Sequence, residues 1–499
     1  MRAAGRSQSP ARGSHRRLSA DYIAFHAAER PDAVALIAKQ RAITYAEFDR
    51  DLRWFTHALR ELELARGQTV AVACDDLYVH WLLLLALERL RIATMSYLSS
   101  ERETYATLLA SVDLVVSEPD SRPARARRHF AITAQWLSAV FAGTDEEQEV
   151  HLPEAPDDAV RLVRTSGTTG ESKRLLLRRS VQDAWIDRWA WFLTLTRDRR
   201  YLVTMPFAVN AIYTVARAFI RAGGSVAWDL FEDTAAILRA LSQGITDIVV
   251  LPIQLKQILD ALPEDFEKPA NLTVTVIGAA APEVLRKRAM MRLASEVIVG
   301  YGANEMPFMT ELRESCAPDT GLVLPWVEIE VVDEDDKPLP NGSLGRIRAR
   351  TAVMADGYLD DPQATERMFR GGWFYPGDVG VLEGARRLHV AGRSDELMNI
   401  GGGKFSPSAL EGLVLEHVRA GDVGVCSVPG PGGLEEVCVA VVDPEQTDQE
   451  LLNRISLAFS AYALGAFHVV KLDRIPRNPV GKIQREPLKR AVASRLRKA

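Results

Sequence analysis

The most informative stretch of this chain is Thr165-Ser-Gly-Thr-Thr-Gly-Glu-Ser-Lys173. It directly follows residues 159–163, an apolar segment whose composition predicts a buried strand. Gly167 and Gly170 allow the backbone to turn tightly and to approach an anion. The hydroxyl groups supply hydrogen-bond donors, and the Lys173 ammonium supplies a positive charge. The stretch therefore predicts a phosphate-binding loop.

Two alternative interpretations of this stretch are the P-loop of a kinase or NTPase and a plain turn that binds nothing. A P-loop kinase or NTPase requires Lys directly after the second glycine, whereas two residues separate Gly170 from Lys173 here. A plain Gly/Thr turn between neighbouring strands is the second alternative, and the density of hydroxyl groups argues against it. A phosphate cradle of another type is therefore the favoured hypothesis.

Apolar and amphipathic segments alternate on both sides of the loop. Residues 114–117 and 248–251 are almost continuously apolar, which predicts strands of a parallel sheet buried on both faces. Residues 45–62 and 234–241 are amphipathic with helical spacing. After about residue 320 the segments become turn-rich and alternating, which predicts antiparallel strands or a small barrel.

The composition excludes several classes of function. A net charge of −5, from 61 basic and 66 acidic residues, gives no general attraction to nucleic acid or to an anionic membrane. The longest apolar run, residues 81–87, is far shorter than the roughly 20 residues that span a bilayer. Because no CxxC pair occurs, neither a zinc site nor a disulfide framework is indicated by Cys74, Cys316, Cys426 and Cys438. We expect a cytoplasmic protein with no nucleic-acid and no membrane partner.

The amino terminus differs from the rest of the chain. Residues 1–17 contain five arginines and no acidic residue. This composition is also typical of a transit peptide, but the segment has no clear apolar face. We therefore predict a disordered basic tail over residues 1–17.

Further motifs follow the loop in a fixed order. Small residues after a predicted strand, Gly278-Ala-Ala-Ala-Pro282, allow a flat base to approach the backbone. Tyr301-Gly-Ala-Asn-Glu305 supplies an aromatic face and a carboxylate suited to a hard cation. The series ends with Gly372-Trp-Phe-Tyr-Pro-Gly-Asp378, Gly392-Arg-Ser-Asp395, Asn399-Ile-Gly-Gly-Gly-Lys-Phe-Ser-Pro407 and Arg474-Ile-Pro-Arg-Asn-Pro-Val-Gly-Lys-Ile-Gln-Arg485.

This ordered series resembles the signature of the adenylate-forming superfamily: acyl- and aryl-CoA synthetases, peptide-synthetase adenylation domains and luciferases. The chain is most similar to stand-alone aryl-acid CoA ligases and aryl-acid adenylating enzymes. The resemblance implies an α/β fold with a large N-terminal domain, residues 18–394, of layered α/β subdomains and a small β-barrel-like subdomain. It also implies a small mobile α+β C-terminal domain, residues 395–499, with its hinge at Asp395.

The resemblance implies a nucleotide site assembled from several of these motifs. Tyr301 would stack on adenine, Asp378 would accept hydrogen bonds from the ribose hydroxyls, and Arg393 would contact the ribose or a phosphate. The other nucleotide-binding positions implied are Thr165, Ser166, Gly167, Thr168, Thr169, Gly170, Lys173, Gly278, Ala279, Ala280, Gly302 and Asn304. Gly402 is a further cofactor-binding position that the resemblance implies, in the glycine-rich loop that lines the pantetheine tunnel of CoA-forming members.

The resemblance also implies the catalytic residues and the cofactors. Glu305 would hold the Mg²⁺ of Mg·ATP, and the Lys482 ammonium would bridge the substrate carboxylate and the α-phosphate. Thr168 is the third catalytic position. Rotation about Asp395 would then withdraw Lys482 and admit a thiol, either CoA or a carrier protein's phosphopantetheine supplied in trans. The chain departs from the family pattern at Ser172, Asn304, Pro376 and Val209.

The predicted acid pocket favours an aromatic substrate. Residues 205–210, MPFAVN, contain no Asp to hold an α-ammonium group, which disfavours an ordinary amino acid. They resemble the Pro-x-Ala-His-Asn of aryl-acid adenylating enzymes, in which the Asn binds a ring hydroxyl. A medium aliphatic acid is the alternative. The pocket residues are Phe207, Asn210, Tyr213, Ala303 and Met306, with Gly278 and Ala279, and plain core packing is the competing interpretation of each.

The predicted function is ATP-dependent activation of a small-molecule carboxylic acid to acyl-AMP with release of pyrophosphate, followed by thioester formation with CoA. The acid would be aromatic with a hydroxyl or amino substituent. Two alternatives stay open: an adenylating enzyme that loads a carrier protein, and a degenerate nucleotide-binding homologue without turnover.

Overall fold

A computed structural model describes most of the chain and divides it into two compact units. The described residues are 19–38, 41–143, 155–165, 173–228, 233–313, 320–400, 403–430, 435–442, 446–460, 462, 464–478 and 481–497. The first unit contains the chain before residue 36 together with Ile43–Arg161 and Leu177–Arg188, and the second contains Leu36–Ala42, Leu162–Leu176 and Trp189–Ala499.

Helices and strands alternate through the first part of the chain. They are α1 (Ser19–Glu29), β1 (Val34–Ala38), β2 (Arg41–Thr44), α2 (Tyr45–Arg60), β3 (Thr69–Val72), α3 (Leu77–Arg89), β4 (Ala93–Ser96), α4 (Ala106–Leu109), β5 (Leu114–Ser117), β6 (His129–Ala131), α5 (Ala134–Phe141), β7 (Ala159–Arg164), β8 (Arg174–Arg178) and α6 (Arg179–Phe192). Short 3₁₀ turns lie at Ser99–Glu101 and Pro119–Ser121.

A six-stranded sheet has the strand order β6-β5-β3-β4-β7-β8. Strand β3 pairs in parallel with β4 and β5, and the four residues of β5 are all buried. This agrees with the prediction of parallel strands from continuous apolarity. Helix α2 begins with a reciprocal cap, because Thr44 Oγ1 accepts from the Glu47 amide and the Glu47 carboxylate accepts from the Thr44 amide.

The second unit begins its α/β part with parallel strands separated by helices. These are β9 (Arg200–Leu202), α7 (Asn210–Ala222), β10 (Ser225–Trp228), α8 (Thr234–Leu241), β11 (Asp247–Val250), α9 (Pro252–Asp260), β12 (Thr273–Val276), α10 (Glu283–Arg292) and β13 (Glu296–Tyr301). The apolar residues of α8, α9, β11 and β12 share one core cluster.

Parallel pairing aligns the carboxyl ends of these strands. In register, Val276 of β12 lies opposite Val299 of β13, and Ile248 of β11 lies opposite Leu202 of β9. The segments that leave β9, β12 and β13 therefore emerge at one edge of the sheet, which is where ligands bind in open α/β sheets. Three predicted site segments follow these strands: residues 205–210, 278–282 and 301–305.

The same sheet continues into an antiparallel region. Its elements are β14 (Thr310–Arg313), β15 (Thr320–Val323), β16 (Glu328–Val332), β17 (Leu344–Arg350), α11 (Pro362–Met368), β18 (Phe369–Arg370), β19 (Trp373–Phe374), β20 (Asp378–Glu383) and β21 (Arg387–Arg393). The pairs β16–β17, β17–β20 and β20–β21 are antiparallel. The alternating segments after residue 320 thus form the strands that their pattern predicts.

The C-terminal part of the second unit has its own sheet. Its elements are β22 (Met398–Ile400), β23 (Gly403–Phe405), α12 (Pro407–His417), β24 (Asp422–Pro429), β25 (Glu435–Val442), α13 (Asp448–Ala458), β26 (Phe467–Lys471) and α14 (Arg485–Leu496). The side chains of β24 and β25 alternate between two core clusters, one with α12 and α13 and one with α14.

The predicted mixed α/β fold class is confirmed. The predicted domain boundaries, residues 18–394 and 395–499 with a hinge at Asp395, stay predictions. The predicted tail, residues 1–17, lies outside the described residues. Within the ranges that the structure describes, no helix combines the length and the apolar character needed to cross a membrane.

Candidate active site

Both ends of the predicted phosphate loop are held together by the backbone. Thr165, directly after β7, donates its amide hydrogen to the carbonyl oxygen of Lys173, directly before β8, at 2.9 Å. The predicted loop residues Ser166, Gly167, Thr168, Thr169 and Gly170 lie outside the described residues, as do Ser172 and Gly402. The two residues that flank the predicted loop are therefore hydrogen-bonded to each other.

Residues 301–306 form a tight turn at the end of β13. The backbones of Ala303 and Met306 exchange two hydrogen bonds, 3.1 and 3.2 Å long. A Cβ atom at Gly302 would lie 2.6 Å from the backbone nitrogen of Phe308, so this close approach requires glycine. Asn304 Nδ2 donates to the carbonyl oxygen of Arg164 at 3.0 Å. Asn304 thus contacts the residue that precedes Thr165 and the phosphate loop.

Three predicted nucleotide residues lie in one cluster. Tyr301 Oη donates to Asp378 Oδ2 at 2.6 Å, and Arg393 Nη1 lies 3.7 Å from Asp378 Oδ1. Burial raises the pKa of Asp378, and the positive charge of Arg393 opposes that rise. Burial and the neighbouring Asp378 also raise the pKa of Tyr301, which keeps its hydroxyl protonated as a donor. Strands β13, β20 and β21 supply these residues.

Backbone geometry around this cluster depends on two glycines. Gly377 has φ +80°, and a Cβ there would lie 3.0 Å from the Arg393 guanidinium. Gly392 has φ +137°, and a Cβ there would lie 2.6 Å from Ser406 Oγ. Asp395, the predicted hinge residue, is exposed and lies 3.4 Å from Arg393 Nε. Side chains larger than glycine would displace the Arg393 side chain or its strand.

Glu305 is buried beside a residue that the sequence analysis missed. Only 6% of Glu305 is exposed, and its Oε1 accepts a hydrogen bond of 2.6 Å from Tyr358 Oη. The Lys173 ammonium lies 4.8 Å from the centre of the Tyr358 ring. Burial raises the pKa of Glu305, and the Tyr358 hydrogen bond and the charges of Lys173 and Lys482 oppose this rise. Tyr358 lies 53 residues beyond Glu305, and no local pattern indicates that they meet.

Lys482 is exposed on a loop whose backbone is firmly held. The Asn478 amide donates to the Lys482 carbonyl oxygen, and the Lys482 amide donates to Asn478 Oδ1. Both hydrogen bonds are 2.9 Å long. Arg477 donates to Gly481 O at 2.6 Å and makes two hydrogen bonds to the Asp422 carboxylate. Arg477 thereby attaches this segment to β24, and the Lys482 side chain is exposed.

The segment after β12 lies next to the Lys482 loop. Gly278 has φ +87°, and a Cβ there would lie 2.8 Å from Leu251 Cδ2. A Cβ at Gly481 would lie 2.9 Å from Leu251 Cδ1. Gly278, Ala279 and Ala280 are exposed, as a surface for a flat base requires.

The predicted pocket residues divide into two kinds. Phe207 and Tyr213 are each 1% exposed, and their ring centres lie 5.4 Å apart in an edge-on arrangement. Met306 is fully buried. Asn210 is the first residue of α7 and 6% exposed, and its Oδ1 has no hydrogen-bond partner among the described residues. Leaving a buried acceptor without a partner costs free energy.

A comparison with protein-family models identifies the family of this chain. The model described as "AMP-binding enzyme" matches residues 23–359. The chain belongs to the AMP-binding enzyme family. This agrees with the resemblance carried by the ordered motifs.

Known proteins resemble this AMP-binding enzyme along nearly its whole length. It is 26% identical over 512 residues to 4-coumarate–CoA ligase 5 of Oryza sativa subsp. japonica, covering 95% of this chain and 94% of that one. ATP-bound MatB from Rhodopseudomonas palustris matches with TM-score 0.81 and 22% identity, covering 95% of this chain and 98% of that one. The anthranilate CoA ligase AuaEII in complex with anthranoyl-AMP matches with TM-score 0.83 and 18% identity, covering 96% and 98%. The two structural matches show the fold.

The curated relatives are named acyl-CoA ligases and synthetases. This AMP-binding enzyme is accordingly an AMP-forming acid–thiol ligase. The assignments of individual site residues stay predictions.

Proposed function

We propose that this enzyme joins an aromatic acid bearing a hydroxyl or amino group to CoA by way of an acyl-AMP. The observation that carries the proposal is the buried Asn210 Oδ1, which has no hydrogen-bond partner within the part of the chain that the structure describes. An oxygen acceptor in that position favours an acid with a hydrogen-bond donor, because an acid without one leaves the acceptor desolvated and unpaired. The neighbouring Phe207 and Tyr213 rings suit a flat apolar substrate. The names of two similar proteins, a 4-coumarate and an anthranilate ligase, agree with this class.

The residues present fit one Mg²⁺ carried in by ATP. Magnesium uses one or two carboxylates together with phosphate oxygens and water, rather than an all-protein cage. Glu305, buried and oriented by Tyr358, is the carboxylate we assign to it. When bound, the ion neutralises charge on the phosphates.

In the first half-reaction, an oxygen of the acid's carboxylate attacks the α-phosphorus of ATP. The bond between that phosphorus and the bridging oxygen of the β-phosphate breaks, and pyrophosphate leaves. Tyr301, Asp378 and Arg393 hold the nucleoside, and Lys173 binds the outer phosphates. Lys482 lies between the two reacting anions, where its ammonium reduces their repulsion and stabilises the charge of the transition state.

In the second half-reaction, the thiol of CoA gives its proton to solvent and the sulfur attacks the acyl carbonyl carbon. The bond from that carbon to the AMP oxygen breaks, which yields thioester and AMP. Lys482 is not needed for this step and must leave room for the thiol. Its position on an exposed loop makes this withdrawal possible without unfolding a core.

Pyrophosphate exchange with matched acids tests the proposal. Benzoate is compared with anthranilate and salicylate, and cinnamate with 4-coumarate, with octanoate as the aliphatic arm. We expect donor-bearing acids to exceed their unsubstituted partners about tenfold or more in kcat/KM. Asn210→Leu removes the acceptor at similar volume and should abolish this preference. Asn453→Leu, at an exposed position of α13, is the matched control and should leave it intact.

The other outcomes decide between the remaining interpretations. Equal exchange with benzoate and its substituted forms, or highest exchange with octanoate, overturns the substrate class. Addition of CoA should convert the acyl-AMP to a thioester measured by mass spectrometry. Exchange without CoA thioester indicates a carrier protein as acceptor, and folded protein without exchange on any acid indicates a degenerate homologue.

A further inference from the structure

Tyr358 belongs to a short segment packed against the base of the phosphate loop. This strap, residues 355–361, is attached by three backbone or side-chain contacts: Ala355 N donates to Glu305 O at 3.0 Å, Leu359 N donates to Arg174 O at 2.7 Å, and Arg174 Nη2 donates to Asp360 Oδ2 at 2.7 Å. The strap is therefore hydrogen-bonded both to the Glu305 backbone and to Arg174, the first residue of β8.

The conformation of the strap is set by its own residues. Gly357 has φ +149°, and a Cβ there would lie 2.4 Å from Thr365 Cγ2. Thr365 Oγ1 also accepts a hydrogen bond of 2.8 Å from the Tyr358 amide. Asp361 then caps α11 by accepting from the Ala364 amide at 2.9 Å. The backbone on both sides of Tyr358 is thus held by these contacts.

Two functional groups meet on the Tyr358 side chain. Its hydroxyl donates to Glu305 Oε1 at 2.6 Å, and its ring lies 4.8 Å from the Lys173 ammonium. The hydrogen bond ties the orientation of a buried carboxylate to the position of the Tyr358 side chain. The ring face attracts the ammonium and restrains a long, flexible side chain at the end of the loop.

We propose that Tyr358 is a positioning residue that holds the metal-binding carboxylate Glu305 and the phosphate-binding ammonium of Lys173 in one preformed arrangement for Mg·ATP. The inference rests on the proposed roles of Glu305 and Lys173 in nucleotide binding. It assigns a function to a residue outside every motif of the sequence analysis. Tyr358 touches neither reacting atom, so it acts through the two groups that it restrains.

Two variants separate the role of the Tyr358 hydroxyl from that of its ring. Calorimetry measures how tightly each variant binds Mg·ATP, ATP in EDTA, and AMP. Tyr358→Phe keeps the ring and should weaken Mg·ATP about three- to tenfold, the range of one lost hydrogen bond. It should leave ATP in EDTA and AMP unchanged, because only the carboxylate is released. Tyr358→Leu should in addition weaken ATP in EDTA, because Lys173 loses its restraint, and should still leave AMP unchanged.

The matched control is Tyr78→Phe. Tyr78 Oη also donates to a buried carboxylate, Asp51 Oδ2, at 2.7 Å, and it lies in the first unit. This variant should lose stability like Tyr358→Phe without changing any of the three affinities. A change in its Mg·ATP affinity equal to that of Tyr358→Phe would attribute the effect to general destabilisation and overturn the proposal.

A double-mutant cycle with Glu305→Gln keeps the test decisive if Tyr358→Leu does not fold. Tyr358→Phe should have no further effect on Mg·ATP affinity once the carboxylate is absent, whereas additive losses overturn the proposal. Unchanged Mg·ATP binding in Tyr358→Phe, or equal losses for AMP and Mg·ATP, also overturns it. Failure of the unaltered enzyme to bind any nucleotide would instead overturn the proposed function itself.

Discussion

The nucleotide residues and the predicted catalytic lysine are held in opposite ways. Tyr301 and Asp378 share a side-chain hydrogen bond, and Glu305 is buried against Tyr358. Lys482 is exposed, and the contacts of its loop fix the backbone and not the ammonium. One end of the site is therefore restrained through its side chains, and the other only through its main chain.

This difference matches the demands of a reaction with two halves. Nucleotide is bound in both halves, so restrained side chains at that end reduce the entropy lost on binding. In the proposed mechanism, the ammonium of Lys482 acts only in the first half. An exposed side chain can be withdrawn at little cost, because no buried hydrogen bond or packed surface is lost.

The largest expected effect comes from Lys482→Ala. It removes the ammonium that bridges the two anions, and pyrophosphate exchange should fall by about 10²–10³, the cost of losing one preorganised electrostatic contact. AMP affinity and thermal stability should not change, since the side chain is exposed. Lys489→Ala in α14 is the control. Exchange at the level of the unaltered enzyme would remove Lys482 from the mechanism and erase the contrast between the two ends.

Gly302→Ala should act on the restrained end through packing. Its Cβ would lie 2.6 Å from the Phe308 backbone nitrogen, so the turn must shift, and unfolding free energy should fall by about 1–3 kcal/mol. Chemical denaturation measures the loss. Gly300→Ala in β13 is the matched control, because the nearest atoms to its Cβ lie 3.8 Å away. Equal stability of both variants would show that this turn accommodates a side chain.

Arg477→Ala should disturb the loop that carries Lys482 without changing nucleotide binding. It breaks the two hydrogen bonds to Asp422 and the one to Gly481 O that attach the Lys482 loop to β24. Exchange should fall about tenfold through kcat, with the KM for ATP unchanged. Arg477→Lys should restore only part of the rate, because an ammonium cannot make the paired contact. Full activity of Arg477→Ala would mean that the loop backbone needs no such attachment.

The smallest expected effect is the pH dependence of stability caused by Asp378. Because burial raises its pKa in the folded protein, the folded state favours the protonated carboxyl. This group's contribution to stability is therefore fully present below the unfolded pKa, about 3.9, and is lost as pH rises through the folded pKa. Asp378→Asn keeps an acceptor for Tyr301 and should gain stability relative to the unaltered enzyme as pH rises. Denaturation curves across pH measure this trend.

Asp335→Asn is the control for the pH series, since Asp335 is exposed in a turn. It should show no such relative gain. A constant difference between Asp378→Asn and the unaltered enzyme at all pH values would mean that the Asp378 carboxyl is not penalised by burial. Burial of the Asp378 carboxyl would then not lower the stability of the folded protein.

Much of the fold was accessible from local patterns. Continuous apolarity at residues 114–117 predicts a buried parallel strand, and β5 has those bounds and is buried throughout. Residues 234–241 form α8 with the predicted bounds. From about residue 394, local patterns predict the order helix, strand, strand, helix, strand, which is the order of α12, β24, β25, α13 and β26. The short hairpin β22–β23 and the helix α14 were not predicted. Elements this short or this rich in charge have little periodic signal.

The family, the order of the motifs and the chemical type of each candidate residue could be read from the amino-acid sequence, because they depend on residue identity and on spacing along the chain. Only the tertiary structure showed that Tyr358 donates to Glu305 and that Asn304 contacts Arg164, 140 residues away. It also showed that Asn210 Oδ1 is buried without a partner among the described residues. Such facts depend on how distant strands and loops pack, and no local pattern records which donor reaches which acceptor.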